Sequence, residues 1–204
     1  MLQKKNAPPE AGNPGSVRDR ILDTAAELFY TEGVRAVGVD LVVEHSGVAK
    51  TSLYRHFSTK DDLVAAFLER DDRAYWKSWG EITAKFKDDP GAELQAHVRW
   101  IAQYIARPSF RGCPFINVLT EFPEAGHPAR VVALGHKTEL RRRVLGLTKA
   151  MGVAKPAPMA DQLVLLIDGA YVNGQMGKRG PSQSLVAGAL ALVAMNAPGS
   201  RHPG

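Results

Sequence analysis

Val42-Val43-Glu44-His45-Ser46-Gly47-Val48-Ala49-Lys50-Thr51-Ser52-Leu53-Tyr54-Arg55-His56-Phe57 is the stretch that decides the fold, because it reads as two short helices joined at a tight turn. Val42, Val43 and Ser46 fall on one face of the first helix at i, i+3, i+4 spacing. Gly47 can adopt the positive φ that ends a helix at little cost, and Val48 then fills the corner. In the second helix Leu53 and Phe57 lie four apart and point inward. At about 100° per residue the opposite face carries Thr51, Ser52 and Arg55, with Tyr54 and His56 on its flanks. That face is short, polar and basic, and the flanking phenol and imidazole could donate to phosphates on either side of a DNA groove. Ser58-Thr59-Lys60-Asp61 follows as a capping box for the next helix, with Ser58 expected at the N-cap and Asp61 at N3. Lys60 would sit at the positive end of that helix. From Lys50 to Lys60 there are basic residues at 50, 55 and 60 and no acidic ones.

The region from Ser16 to about Leu68 resembles the DNA-binding region of TetR-type transcriptional regulators. There a first helix of the form Ile-Leu-x-x-Ala-x-x-Leu-Phe-x-x-x-Gly precedes the helix-turn-helix. The present chain has Ile21, Leu22, Ala25, Leu28, Phe29 and Gly33 in those slots, followed by Gly47-Val48, Leu53-Tyr54-Arg55-His56-Phe57, Lys60 and Leu63. It departs from the pattern at Gly38, where the family usually has a Thr cap, and at Ala49, where it usually has a Ser cap; Gly is a tolerable cap and Ala a poor one. The resemblance implies an all-α protein with an N-terminal three-helix DNA-binding domain and a C-terminal helical domain for effector binding and dimerisation. It assigns DNA contact to Arg18, Lys50, Thr51, Ser52, Tyr54, Arg55, His56 and Lys60. A three-helix module used for protein contacts is the competing reading of the same geometry, but such a module needs neither the Tyr-Arg-His run nor a lysine at the next helix start.

Charge alone decides little. The net charge is +5 over 204 residues, yet residues 16–60 hold six Lys/Arg and six Asp/Glu, whereas 137–149 hold five and one. The clustering in the recognition helix is therefore the nucleic-acid signal, not the overall balance. A single cysteine excludes an intramolecular disulfide, and the N-terminus has no apolar h-region of a signal peptide. The most apolar run, Leu185 to Met195, is far shorter than the ~20 residues a bilayer requires. A cytoplasmic protein with no membrane partner and no cofactor is expected. The anticipated organisation is a tail at 1–15, a DNA-binding domain at 16–60, an effector and dimerisation domain at 61–198 and a tail at 199–204.

Beyond the DNA module the pattern is helical, punctuated by Pro and Gly. Helices are expected from Thr59 to about Trp79, from Asp89-Pro90 to Arg107, and over about 113–122, 128–151, 158–173 and 181–197. The last two are apolar on most sides, which requires cover on most sides. Since the family's last two helices form a four-helix dimer interface, Leu163, Ile167, Tyr171, Val186, Leu190 and Val193 are the expected seam of a homodimer. The middle helices hold most of the aromatic residues. Singly these are packing residues; together they could wall the effector cavity common in the family, with Phe67, Trp76, Trp79, Trp100, Tyr104, Phe115 and Phe122 as rings and Cys113, Asn117, Glu121 and His136 as polar groups. The expected effector is small and mostly apolar. The expected function is release of a palindromic double-stranded operator, by a repressor, when that effector binds. Two other readings centre on Cys113: a thiol switch on DNA binding, and a cysteine hydrolase with His127 or His136 as base. Neither a nucleophile elbow nor an oxyanion-hole glycine run accompanies the hydrolase reading, so the chain is read as no enzyme.

Overall fold

A computed structural model describes residues 15–177 and 180–196, among which the chain forms nine helices and no strand. They are α1 (Val17–Glu32), α2 (Val39–Ser46), α3 (Lys50–His56), α4 (Lys60–Thr83), α5 (Pro90–Ile105), α6 (Pro114–Glu121), α7 (Pro128–Ala150), α8 (Pro156–Gln175) and α9 (Pro181–Asn196). The expected tails fall outside the described residues apart from Gly15. Each helix from α5 to α9 begins on a proline. Proline suits that position because the N–H it lacks would have no intrahelical partner and its φ is already helical. Among the described residues no helix is long and apolar enough to cross a membrane.

The helix starts differ from expectation in one instructive place. Asp89 caps α5 as anticipated, accepting from the Ala92 N–H at 2.8 Å. At α4 the box is formed one residue later than Ser58 and Asp61: Asp62 N–H donates to Thr59 Oγ1 and Thr59 N–H to Asp62 Oδ2, both at 3.0 Å. Thr59 and Asp62 thus satisfy two of the orphan donors reciprocally.

The chain divides into two compact units. The first runs to Lys77 and includes Asn117–Ala133; the second holds Ser78–Ile116 and the residues from Leu134 onward. The division falls inside α4, α6 and α7, so the first unit, which holds α1–α3, also takes in most of α4 and a segment from α6 to α7.

In the first unit α1, α2 and α3 pack on one another. Ile21, Ala25, Val37, Leu53, Leu63 and Val64 have no exposed surface. Phe67 belongs to this core, 6.1 Å from Phe29, ring centre to ring centre. In the second unit α9 packs on α5 and α8. Gly112, with φ 96, lets Gln175 lie against its backbone, where a Cβ would come within 1.7 Å of the amide nitrogen. This accounts for the glycine before Cys113. Gly188 plays a similar part between α9 and α8, since a Cβ there would press on Leu166 at 3.3 Å.

A polar network is buried in the second unit. His97 is 1% exposed, its ring stacks on Trp79 at 3.6 Å, and its Nε2 lies 3.3 Å from Glu93 Oε1, which also accepts from Thr83 Oγ1 at 2.6 Å. Burial pushes His97 down to about 4, outweighing the upward pull of Glu93, while Arg143 adds to the downward push. From its ordinary value of 6.5 down to about 4, the unfolded chain binds a proton that the fold does not, so stability is lost as pH falls through this window. Asp71, pushed up to about 6 by burial, works oppositely: its contribution is lost as pH rises. The His97 effect is isolated by urea unfolding of wild type and His97→Phe. Between pH values of about 7 and about 4.5 the wild type should lose more stability than the variant; equal losses would show that His97 does not titrate in this way.

Candidate nucleic-acid interface

The geometry of α2 and α3 follows from two backbone facts. Gly47, with φ 63 and ψ 27, ends α2 in the left-handed conformation, its N–H bonded to the Val43 and Glu44 carbonyls. Ala49 then opens α3 in extended conformation with no side-chain cap, and Gly38 opens α2 in the same way. Neither departure from the family's usual caps has been replaced by another side chain at the cap position.

Leu53 and Phe57 are buried, and Val48 closes the corner. Thr51, Tyr54, Arg55 and His56 are exposed, whereas Ser52 is half-buried, so Ser52 stands at the edge of the outward face rather than within it. Arg18 is exposed with its guanidinium 5.0 Å above the Phe57 ring, which brings a cation on α1 beside the C-terminal end of α3. Lys50 is exposed and pairs with Asp40 at 2.6 Å. That hydrogen bond raises its pKa, so the ammonium is charged. Asp40 went unnoticed in the sequence because it lies on α2, ten residues away. An exposed pair of this kind contributes little and can exchange Asp40 for a phosphate. Lys60 is half-buried at the first residue of α4; burial pulls its pKa down while Asp61 and Glu121 pull it up.

The residues expected around an effector separate differently. Glu121 accepts hydrogen bonds from the backbone N–H groups of Val34 and Arg35, Phe122 stacks on His127 at 4.0 Å, and Phe67 is core of the first unit. All three belong to the first unit. Trp76, whose indole N–H donates to Asp72 at 2.6 Å, and Asn117 also belong to that unit. Trp79, Trp100, Tyr104, Cys113, Phe115 and His136 belong to the second. Trp79 stacks on His97, Phe115 stacks on His136 at 3.7 Å, and Tyr104 packs edge-on to Phe110 at 5.7 Å. An open groove of about 510 Å³ between α5 and α9, with Arg99 and Gln103 among its lining, contains none of these rings.

Cys113 is 4% exposed, and burial raises its pKa although Lys137 and the N–H groups of Phe115 and Ile116 act in the other direction. A nucleophile or redox sensor needs an accessible thiolate, so this thiol suits neither role. His127 lies in the first unit and Cys113 in the second. Among the described residues no group of three or more His, Cys, Asp or Glu could hold a metal ion.

The seam residues expected on α8 are likewise placed inward. Leu163, Ile167 and Tyr171 are 0%, 2% and 6% exposed, filling the core of their own unit. Val186, Leu190 and Val193 are half-buried and face Leu94 and Val98 of α5 across a small gap. The large exposed apolar side chains here are Leu165 at 73% and Val172 at 40% on α8, Met176 at 60% at its C-cap, and Met195 at 58% on α9. At about 100° per residue, positions 165, 172 and 176 lie on the side of α8 opposite to 163, 167 and 171.

A helix-turn-helix with a solvated basic second helix, joined to a larger helical unit, is the architecture of a bacterial transcriptional regulator. Residues 21–67 match the model of bacterial regulatory proteins of the tetR family. The chain is similar to a crystallised TetR-family regulator from Streptomyces coelicolor, with 31% identity, a TM-score of 0.84, and coverage of 89% of this chain and 96% of that one. A crystallised TetR-type regulator from Streptomyces avermitilis is 30% identical with a TM-score of 0.77, over 89% of this chain and 98% of that one. The chain belongs to the TetR family of transcriptional regulators. Among curated proteins, the transcriptional activator FasR of Mycolicibacterium smegmatis is 42% identical over 26% of this chain and 24% of its own length. The repressor KstR2 of the same organism is 36% identical over 30% of each chain. These two likenesses thus span a quarter to a third of the relatives' length. The relatives are regulators rather than enzymes.

Proposed function

We propose that the protein binds a palindromic operator in double-stranded DNA as a homodimer, acts there as a repressor, and leaves when a small, mostly apolar effector occupies the second unit. The observation that carries this reading is the two-sidedness of α3: Leu53 and Phe57 are buried while Thr51, Tyr54, Arg55 and His56 are exposed. Nothing in the packing of the first unit requires that exposed set. Arg55 is assigned to base edges and Lys50, Tyr54, His56, Lys60 and Arg18 to phosphates. Dimerisation is assigned to the outward face of α8 and α9 around Leu165, Val172, Met176 and Met195. Large exposed apolar side chains gathered on neighbouring helices mark an interaction surface.

The effector is assigned to the second unit, which holds Trp79, Trp100, Tyr104 and Phe115, because ligand sites are lined mostly by apolar and aromatic side chains. α4 is one continuous helix that supplies residues to both units, so a displacement of its later turns can be carried to its first. Binding linkage provides the test. A compound library rich in apolar and aromatic molecules is screened by thermal shift, and hits are titrated with and without operator. An effector must weaken operator binding, and operator must weaken the effector by the same factor, with a coupling of about 1–3 kcal/mol. Compounds that stabilise the protein but leave its DNA affinity unchanged would remove the switch from this account.

A further inference from the structure

We propose that Glu121 is a positioning residue for operator binding: from the end of α6 its carboxylate clamps the α1–α2 turn and so fixes the placement of the helix-turn-helix. The proposal rests on the operator-binding reading and adds a residue outside α1–α3 to it. Glu121 Oε1 accepts from the Val34 N–H at 3.2 Å and Oε2 from the Arg35 N–H at 2.7 Å, across 87 and 86 residues of sequence. These donors are available because α1 ends at Gly33, with φ 91 and ψ 149, whose own N–H closes on Phe29. The chain then leaves the helix, and α2 does not begin until Val39. Both oxygens of one carboxylate are thus spent on adjacent backbone donors of a turn that has no helix or strand to pair with.

The clamp is braced from its own side. Arg130 Nη1 donates to the carbonyls of Leu119 and Phe122 at 3.2 and 3.1 Å, supplying partners where α6 ends. The Phe122 ring stacks on His127 at 4.0 Å and has the Arg35 guanidinium 5.3 Å from its centre. The side chain of Arg35 and its backbone are therefore held by consecutive residues of the same segment. The apolar core of α1–α3 does not include Glu121. Removing the carboxylate is accordingly expected to loosen the turn without dissolving the unit.

The test uses the full chain, a duplex that the wild type selects from a randomised pool, and a scrambled duplex of equal length. Glu121→Ala should bind the selected duplex about tenfold more weakly, the scale of losing charge-assisted hydrogen bonds, with Glu121→Gln in between because its amide keeps one accepting oxygen and sets an NH2 group against the other backbone donor. Affinity for the scrambled duplex should be unchanged, and hydrogen exchange at the Val34 and Arg35 amides should accelerate in Glu121→Ala. Unchanged affinity for the selected duplex, or equal losses on both duplexes at a temperature where the variant is fully folded, would overturn the proposal. So would unchanged exchange at the two amides. A wild type that selects no sequence defeats the operator reading itself and the proposal with it; a wild type that selects one which Glu121→Ala binds equally well defeats the clamp alone.

Discussion

Leu165→Glu should convert the proposed homodimer into a folded monomer that no longer holds a palindromic duplex. Leu165 is 73% exposed in the single chain, and Val172 and Met176 follow it on the same face of α8. A glutamate there costs the isolated chain little. In a two-fold symmetric seam the same patch meets its own copy, so each dimer would have to bury a charge beside the partner's equivalent surface. Binding two half-sites at once is what separates specific from non-specific affinity, so the expected loss on operator DNA is about 10³-fold or more. Ile167→Glu provides the contrast. Ile167 is 2% exposed inside its own unit, and an unpaired charge there should unfold the unit rather than split a dimer. Sedimentation and circular dichroism separate the two outcomes. A Leu165→Glu protein that sediments as the wild type does would move the dimer contact elsewhere.

Arg55→Ala should cost about 1–3 kcal/mol on the operator and little on random DNA, as expected for loss of a contact to a base edge. Arg55 is exposed on the face of α3 opposite Leu53, with no acidic residue in the first turn of that helix. Lys60→Ala should behave differently in kind. A phosphate contact carries no sequence information, so operator and random DNA should weaken alike and the salt slope should fall by about 1. Competition binding at several salt concentrations distinguishes the two patterns. If Arg55→Ala weakens both DNAs equally, Arg55 is a phosphate contact and another side chain of the face, Thr51 or Tyr54, reads the bases.

The helix-turn-helix was legible in the sequence because its signals are local. Gly47 requires a turn, and Leu53 and Phe57 share a face; prolines likewise open each helix from α5 to α9. Features that depend on choosing between equal local signals were misread by small steps. Ser58 and Thr59 are both hydroxyl residues and Asp61 and Asp62 both acidic, so two overlapping boxes fit and only packing selects the second. In α8, Leu163, Val164, Leu165, Leu166 and Ile167 are consecutive apolar residues. Periodicity cannot show which side of such a run faces its own core; in the structure Leu163 and Ile167 are buried and Leu165 is exposed. The clamp at Glu121 lay beyond sequence reasoning altogether. It joins a carboxylate to backbone N–H groups more than eighty residues away, and backbone donors carry no side-chain signature. For the same reason the segment Asn117–Ala133 was assigned to the domain on either side of it in sequence rather than to the DNA-binding unit it completes.

Sequence selection by the purified wild-type protein tests the central claim most directly. Genomic fragments captured by the full chain at near-physiological salt, and sequenced, should be enriched in an inverted repeat whose half-sites lie about one helical turn apart, or a multiple of it. Fragments captured without enrichment of any sequence, or a monomer that binds all duplexes alike, would contradict an operator-binding homodimer.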